Sequence, residues 1–332
     1  MKISYITESF AGCKGNGITS QAITWASIIN QKHPNTITLI NPWEPYDFGK
    51  NNIIHIFGSS NTWFFNTANR LKNLGCKIIW SPICDNIDNP QLQRIKTKIG
   101  CESLQLFSLP YIRKKMFDLT DFVSVRSHYE KNYLKEAYKI PENKFLLMPV
   151  SMSYDDNFTS IPPKDPFCLH ISSIYQDRKN VIRLIKAAQK YNFPLVLAGN
   201  KGSEKDFDKI KKTIGGCSQI KVLGFISEEE KISLYKKAKI FALPSIKEGV
   251  GIVAVDAAHY GCDIVITNIG GSKEYFGSFA EKVSPFSIDS IGSAIKTLLT
   301  KTNQPSLKNF VDTNFSRTAI LKKLLKTYNS LL

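Results

Sequence analysis

Glu248 and Asp256 are two acids with seven residues between them, and the first of those seven form a glycine turn, Gly249-Val250-Gly251. Bare backbone amides at the start of a helix attract phosphates, and nearby carboxylates can accept hydrogen bonds from sugar hydroxyls. The combination suits a phosphate-bearing ligand. The elements that must hold it are legible around it. Lys239 to Leu243 is an apolar run that reads as a buried strand, it breaks at Pro244, and the alanine-rich stretch after Ile252 suits a helix. A strand, glycine turn and helix also form a generic α/β connection, and acids near a helix start stabilise its dipole without any ligand. A second turn favours the ligand. Ile264-Val265-Ile266-Thr267 is another short strand, and it ends in Asn268-Ile269-Gly270-Gly271-Ser272-Lys273-Glu274.

In this order of motifs the chain resembles the GT-B-fold glycosyltransferases of family 4, most densely from Cys168 to Gly277. Ile171-Ser172-Ser173-Ile174, then Arg178-Lys179-Asn180 and Leu184-Ile185-Lys186-Ala187, are similar to the strand, lysine and helix that open that family's donor domain. Val196-Leu197-Ala198-Gly199-Asn200 and Val222-Leu223-Gly224-Phe225-Ile226 resemble its next two strands. The resemblance implies two Rossmann-like domains with doubly wound parallel sheets facing a cleft. It also implies a retaining, metal-independent enzyme with a nucleotide-sugar donor as co-substrate and no cofactor. Lys179 would neutralise the departing diphosphate, Glu248 would contact the donor sugar and Asp256 the ribose. Ser173, Arg178, Gly199, Asn200, Phe225, Gly249, Val250, Gly251 and Ile252 would complete the donor site. The chain departs from the family in two places. The second acid is Asp256 where glutamate is usual, and Ser172-Ser173 stands where the family has Gly-Arg, leaving Arg178 as the nearest guanidinium.

The first half carries weaker signals. Gly15-Asn16-Gly17 follows a strand and precedes a helix, but it lacks the third glycine of a dinucleotide fingerprint and the lysine of a P-loop. Taken alone it is a turn. By the resemblance, Gly15 and Gly17 would face the donor phosphates. Where the family has a histidine or acid that contacts the transferred sugar, this chain offers Asp85, which suits a loop cap equally well. His55 alternates with apolar residues and reads as a core histidine before a catalytic one.

Composition bounds these readings. A chain of 332 residues, 42% hydrophobic and 22% charged, can build two packed domains and is not disordered. The expected boundaries are an acceptor-side domain over 1–155, a donor domain over 165–312 and, over 313–332, a helix crossing back. The proline-bearing stretch Met148 to Pro166 forms the linker, with Asp155-Asp156-Asn157 in it as a turn. Seven scattered cysteines with no Cys-x-x-Cys, and five histidines without ligand spacing, suit a reduced compartment and exclude a dedicated metal site. No stretch approaches a membrane span, and Glu8 interrupts any signal-peptide core. The location expected is therefore cytoplasmic.

A formal net charge of +16 attracts something anionic, although it also suits a merely lysine-rich chain. The aromatic–basic segments around Trp63, Arg70 and Lys72, around Arg94, Lys96 and Lys98, and around Tyr111, Arg113, Lys114 and Lys115 are read as peripheral contacts with an anionic membrane surface or as ordinary amphipathic helices. The acceptor implied is a glycan or glycolipid of the kind used for surface polysaccharide. Two rivals are a non-catalytic GT-B partner subunit, suggested by Ser173 and Asp256, and a basic nucleic-acid-binding protein. No recognition motif supports the second, so no nucleic-acid partner is expected.

Overall fold

Alternation of apolar strands with amphipathic helices produces two parallel sheets, each in its own compact unit. The computed structural model describes residues 2–7, 17–41, 43–50, 52–58, 61–85, 88–101, 104, 106–154, 158–303 and 305–331. Unit 1 comprises residues 1–151 and 317–332, and unit 2 comprises 152–316.

Unit 1 begins with β1 (Lys2–Thr7), α1 (Gly17–Lys32), β2 (Ile37–Leu39), β3 (Asn52–Phe57), α2 (Thr62–Asn73) and β4 (Lys77–Ser81). It continues through α3 (Pro90–Lys96), a hairpin of β5 (Gly100–Cys101) and β6 (Leu106–Phe107), α4 (Leu109–Leu119), β7 (Phe122–Val125), α5 (His128–Tyr138) and β8 (Phe145–Leu147). The six-stranded sheet has the order β2-β1-β3-β4-β7-β8, parallel throughout. Its inner strands β3 and β4 are buried at every position after their first and are mostly apolar there, as strands covered on both faces tend to be.

Unit 2 runs β9 (Asp165–Ile171), α6 (Val181–Tyr191), β10 (Leu195–Ala198), α7 (Glu204–Ile214), β11 (Ile220–Gly224), α8 (Glu228–Lys237) and β12 (Ala238–Leu243). After these come α9 (Ile252–His259), β13 (Asp263–Thr267), β14 (Glu281–Val283), α10 (Ile288–Thr300) and α11 (Pro305–Phe315). The order β11-β10-β9-β12-β13-β14 is that of a doubly wound dinucleotide-type sheet, and its strand order reverses between β9 and β12. Capping boxes at Ser203 and Ser227 start α7 and α8, and α6 buries Val181, Leu184, Ile185, Ala187 and Ala188 against the sheet. Residues 152–154 belong to this unit because Met152 N donates to Phe315 O (2.9 Å) and Ser153 N to Asp256 Oδ1 (2.7 Å).

The chain then returns to unit 1 as α12 (Arg317–Asn329). Tyr328 reaches into the core of that unit. Its hydroxyl lies 2.7 Å from Tyr5 Oη and 2.8 Å from His55 Nδ1, while His55 Nε2 meets Ser81 Oγ at 2.8 Å. His55 is fully buried, and burial lowers its pKa to about 3, so it is a neutral core histidine.

Candidate functional site

In an open parallel sheet, ligands bind outside the carboxyl ends of the strands, where the strand order reverses. In unit 2 that point lies between β9 and β12. The loops leaving these two strands are joined tightly. Ile246 N donates to Arg178 O (2.8 Å), and Asn180 Nδ2 donates to Pro244 O (2.8 Å) and Pro285 O (2.6 Å). A 3₁₀ turn at Asp177–Lys179 and a left-handed Asn180, at φ 63°, deliver Lys179 to the junction. Asparagine tolerates that conformation at little cost.

Lys179 and Glu248 meet there. Lys179 Nζ lies 2.7 Å from Glu248 Oε2, with the side chains 12% and 6% exposed, and Ser245 Oγ donates to the same oxygen at 3.0 Å. The backbone of Glu248 is braced from the second glycine turn. Gly270 has φ 88°, and a Cβ there would lie 2.5 Å from Glu248 O, so only glycine fits against it. Behind Lys179, buried His170 bridges Ala242 O (2.8 Å) and Ser172 Oγ (2.7 Å). Burial is the main cause, with the Lys179 charge assisting, of a His170 pKa lowered to about 4, so it stands neutral beside the ammonium.

Two groups near the pair could donate to a ligand. Gly251, at φ 74°, turns the chain into α9, whose start has no side-chain cap and no acid in its first turn. Arg178 Nε is held by Gln176 Oε1 at 2.8 Å, whereas its Nη1 is buried without a hydrogen-bond partner among the described residues. A buried guanidinium N–H left unmade is costly, and an anion would relieve it. The arrangement therefore offers an ammonium, a guanidinium edge and open helix amides for phosphate, with one carboxylate at hand for hydroxyls.

The other residues expected in the donor site fall at the same carboxyl edge of the sheet but in different roles. Ser173 follows β9, Gly199 and Asn200 follow β10, and Phe225 follows β11. Gly199 N donates to Gly224 O (2.6 Å), and Asn200 Oδ1 accepts from Gly202 N (2.9 Å), so both brace their loops. Phe225 is 83% exposed. Val250 is buried, and Gly249 and Ile252 lie in the turn and at the start of α9. A cavity of about 400 Å³ lies against the same loops, with Tyr175, Asn180, Arg183, Lys209 and Ile246 in its wall.

Asp256 lies deeper than the pair. It sits in the second turn of α9, is 1% exposed, and its Oδ1 accepts from Ser153 N, with Lys231 and His259 as nearby charges. The geometry gives this acid an internal partner, Ser153. Asp85, in unit 1, is ion-paired at 3.0 Å with Arg126, which also grips buried Glu130 at 2.9 Å. Gly15 and the Asp155-Asp156-Asn157 turn lie outside the described residues, and Gly17 is the first residue of α1. Sequence reasoning missed Asn180, Ser245 and His170. A clue for Asn180 was its place directly before a helical run; Ser245 and His170 act through contacts that no local pattern displays. Among the described residues, no group of three or more His, Cys, Asp or Glu side chains is arranged to hold a metal ion.

Residues 154–314 match the family model of the glycosyl transferases, group 1. The O-antigen chain mannosyltransferase B of Escherichia coli is 24% identical over 211 residues, which is 56% of this chain and 54% of that protein. An α-1,4-N-acetyl-D-galactosaminyltransferase of Campylobacter jejuni, whose name gives a diNAcBac-PP-undecaprenol-linked glycan, is 24% identical over 307 residues, 82% of this chain and 81% of that one. The chain thus spans about half the length of the first relative. Among solved structures, a glycosyltransferase from Rickettsia africae gives a TM-score of 0.71 at 19% identity, over 99% of this chain and 98% of that one. Anabaena Alr3699/HepE, solved with UDP and glucose, gives 0.71 at 13% identity, over 99% and 100%. At such identities the likeness is one of fold.

Proposed function

Residues 154–314 match the glycosyl transferases, group 1, and from that premise we propose that the chain is such an enzyme and moves a sugar from a nucleotide-sugar donor to a lipid-linked or surface-polysaccharide glycan, with retention and without a metal. Its fold is that of the GT-B glycosyltransferases. The observation that carries the proposal is the Lys179–Glu248 pair at the strand-order reversal of unit 2.

In this reading the donor diphosphate lies at Lys179, the Arg178 edge and the amides that open α9. The bond between the sugar's anomeric carbon and the phosphate oxygen breaks, and a bond to the acceptor oxygen forms on the same face. The acceptor proton passes to the departing phosphate. Lys179 stabilises the charge that develops on the diphosphate, which is where preorganised charge lowers a barrier most. Glu248, held by Ser245, accepts from the donor sugar's hydroxyls. The polysaccharide and undecaprenol relatives support an acceptor of the same class. Such an acceptor puts the reaction at the cytoplasmic face of a membrane, and no helix among the described residues is long and apolar enough to cross one.

The test is a panel of nucleoside diphosphates and nucleotide sugars. One of them should raise the melting temperature, since ligands that bind only the native state stabilise it. The same donor should then be consumed with a polyprenyl-linked acceptor, and the anomeric configuration of the product read by NMR. No stabilisation by any of the panel, or inversion at the anomeric carbon, would refute it.

A further inference from the structure

Helix α3 is amphipathic in the wrong direction for a soluble surface. Its inward residue is polar: Gln93 is buried, and its Nε2 donates to Tyr138 Oη at 2.8 Å. Its outward residues are aliphatic: Leu92 is 50% exposed, Ile95 62% and Ile99 58%. The helical turns continue past Lys96 through Lys98 N to Ile95 O (3.0 Å) and Ile99 N to Lys96 O (3.1 Å), so the three fall on one stripe. The β5–β6 hairpin adds Leu104 and Leu106, and α4 opens with Leu109, each more than 60% exposed. Ser108 clamps these elements together, its N donating to Ile99 O (3.2 Å) and its Oγ to Lys96 O (3.0 Å). Beneath them the Tyr111 ring packs on Gly100 and stacks on Phe107. The aliphatic tips therefore stand on a fixed base.

Six exposed aliphatic side chains on adjoining elements are a concentration of the kind that, where contiguous over roughly 300–600 Å², is often functional. Its charge selects the occupant. Arg94, Lys96 and Lys98 are exposed on the same segment, and none of the three side chains has an ion pair or hydrogen bond among the described residues. Glu102 is the only acid between residues 89 and 117. The cations that the sequence suggested further along do not serve. Arg113 turns inward to Tyr138 Oη (3.4 Å), Lys114 pairs with Asp118, and Lys115 lies over the Tyr111 ring at 5.7 Å.

We propose that α3, the β5–β6 hairpin and the start of α4 dock on an anionic lipid bilayer, the aliphatic tips entering the acyl boundary and Arg94, Lys96 and Lys98 meeting the headgroups. Interfacial helices bind through this pairing of apolar area and cationic rim. A second copy of the chain fits worse, because a two-fold contact would set the same cations against one another. The inference rests on the functional reading only in that the acceptor is carried by a lipid.

The test is co-sedimentation with vesicles of phosphatidylcholine alone and of phosphatidylcholine mixed with phosphatidylglycerol. The wild type should bind only the mixed vesicles and release at high salt. Replacing Arg94, Lys96 and Lys98 together with Gln should lower the partition coefficient about a hundredfold at low salt. Ile95→Ser, Leu106→Ser and Leu109→Ser combined should abolish binding, with melting temperature and donor affinity unchanged. Removing equal charge at Lys209, Lys211 and Lys212 should have little effect. Wild-type indifference to mixed vesicles, or full binding by the serine variant, would overturn the proposal. So would a wild-type dimer that the serine variant dissociates. A protein that consumes donor yet ignores vesicles overturns this inference alone; one that binds vesicles yet stabilises with no donor overturns the transferase reading alone.

Discussion

Lys179 has two calls on its one charge, since it is bonded to Glu248 and is proposed to meet the donor diphosphate. Opposite effects should follow from changing either partner. Lys179→Ala leaves a carboxylate that is 6% exposed with Ser245 Oγ as its remaining hydrogen-bond donor. Breaking a buried pair from one side costs about 3–5 kcal/mol. In a unit of this size each kcal/mol moves the melting temperature by about 2–4 °C, so a fall of roughly 6–20 °C is expected. Losing a charged hydrogen bond to the diphosphate should also weaken nucleoside diphosphate binding by about 10- to 150-fold. Glu248→Gln keeps the volume and an acceptor for Ser245 but frees the ammonium from its counter-charge. Nucleoside diphosphate affinity should then hold or rise by up to about tenfold, while turnover of the intact donor falls at least about a hundredfold. Lys179→Met with Glu248→Leu should recover most of the melting temperature and none of the binding. Isothermal titration calorimetry with the donor's nucleoside diphosphate reads the decisive sign. If Glu248→Gln weakens that ligand as much as Lys179→Ala does, the two side chains act as one structural unit and the reasoning fails.

Burial raises the pKa of Asp256 from the ordinary carboxylate range to about 6, against the opposing hydrogen bond from Ser153. A raised acid favours the fold while protonated, so its contribution is full below pH ~4 and is lost as pH rises through ~6. Asp256→Asn should therefore gain stability relative to wild type by about 3 kcal/mol between pH 4 and pH 7 in urea titrations; a difference independent of pH would reject the assignment. Gly270→Ala must move Glu248 O or abandon a φ of 88°, so transfer should drop with free nucleotide affinity retained, whereas Gly216→Ala, with nothing within 4 Å, should be silent. EDTA should leave turnover intact; a loss restored by Mg²⁺ or Mn²⁺ would count against the metal-free mechanism.

The donor-side strands and the turns that follow them were legible because glycine and proline punctuate apolar runs, and because parallel strands buried on both faces read as continuous hydrophobic segments. Glu248 and Lys179 could each be singled out, but not their mutual bond, which spans 69 positions. The contact that Asp256 makes was hidden for the same reason, since its partner Ser153 lies 103 residues away. Helical spacing exposes a stripe on α3 without saying which way it points, so a residue set that looks like core can face outward. Arg113 shows the converse. It has the composition of a surface cation, yet it is drawn inward by Tyr138.

The return of α12 to unit 1 has a consequence for the order in which the chain can assemble. Unit 2 is one continuous stretch, 152–316, and can close its core as soon as it is synthesised. Unit 1 cannot. Its buried polar centre needs the Tyr328 hydroxyl, which follows His55 by 273 residues. At about 5–20 residues per second of synthesis, Tyr5 and His55 wait on the order of tens of seconds for that partner. The first sheet to be made is therefore the last to be finished, and during that interval its centre must be met by water or by chaperones.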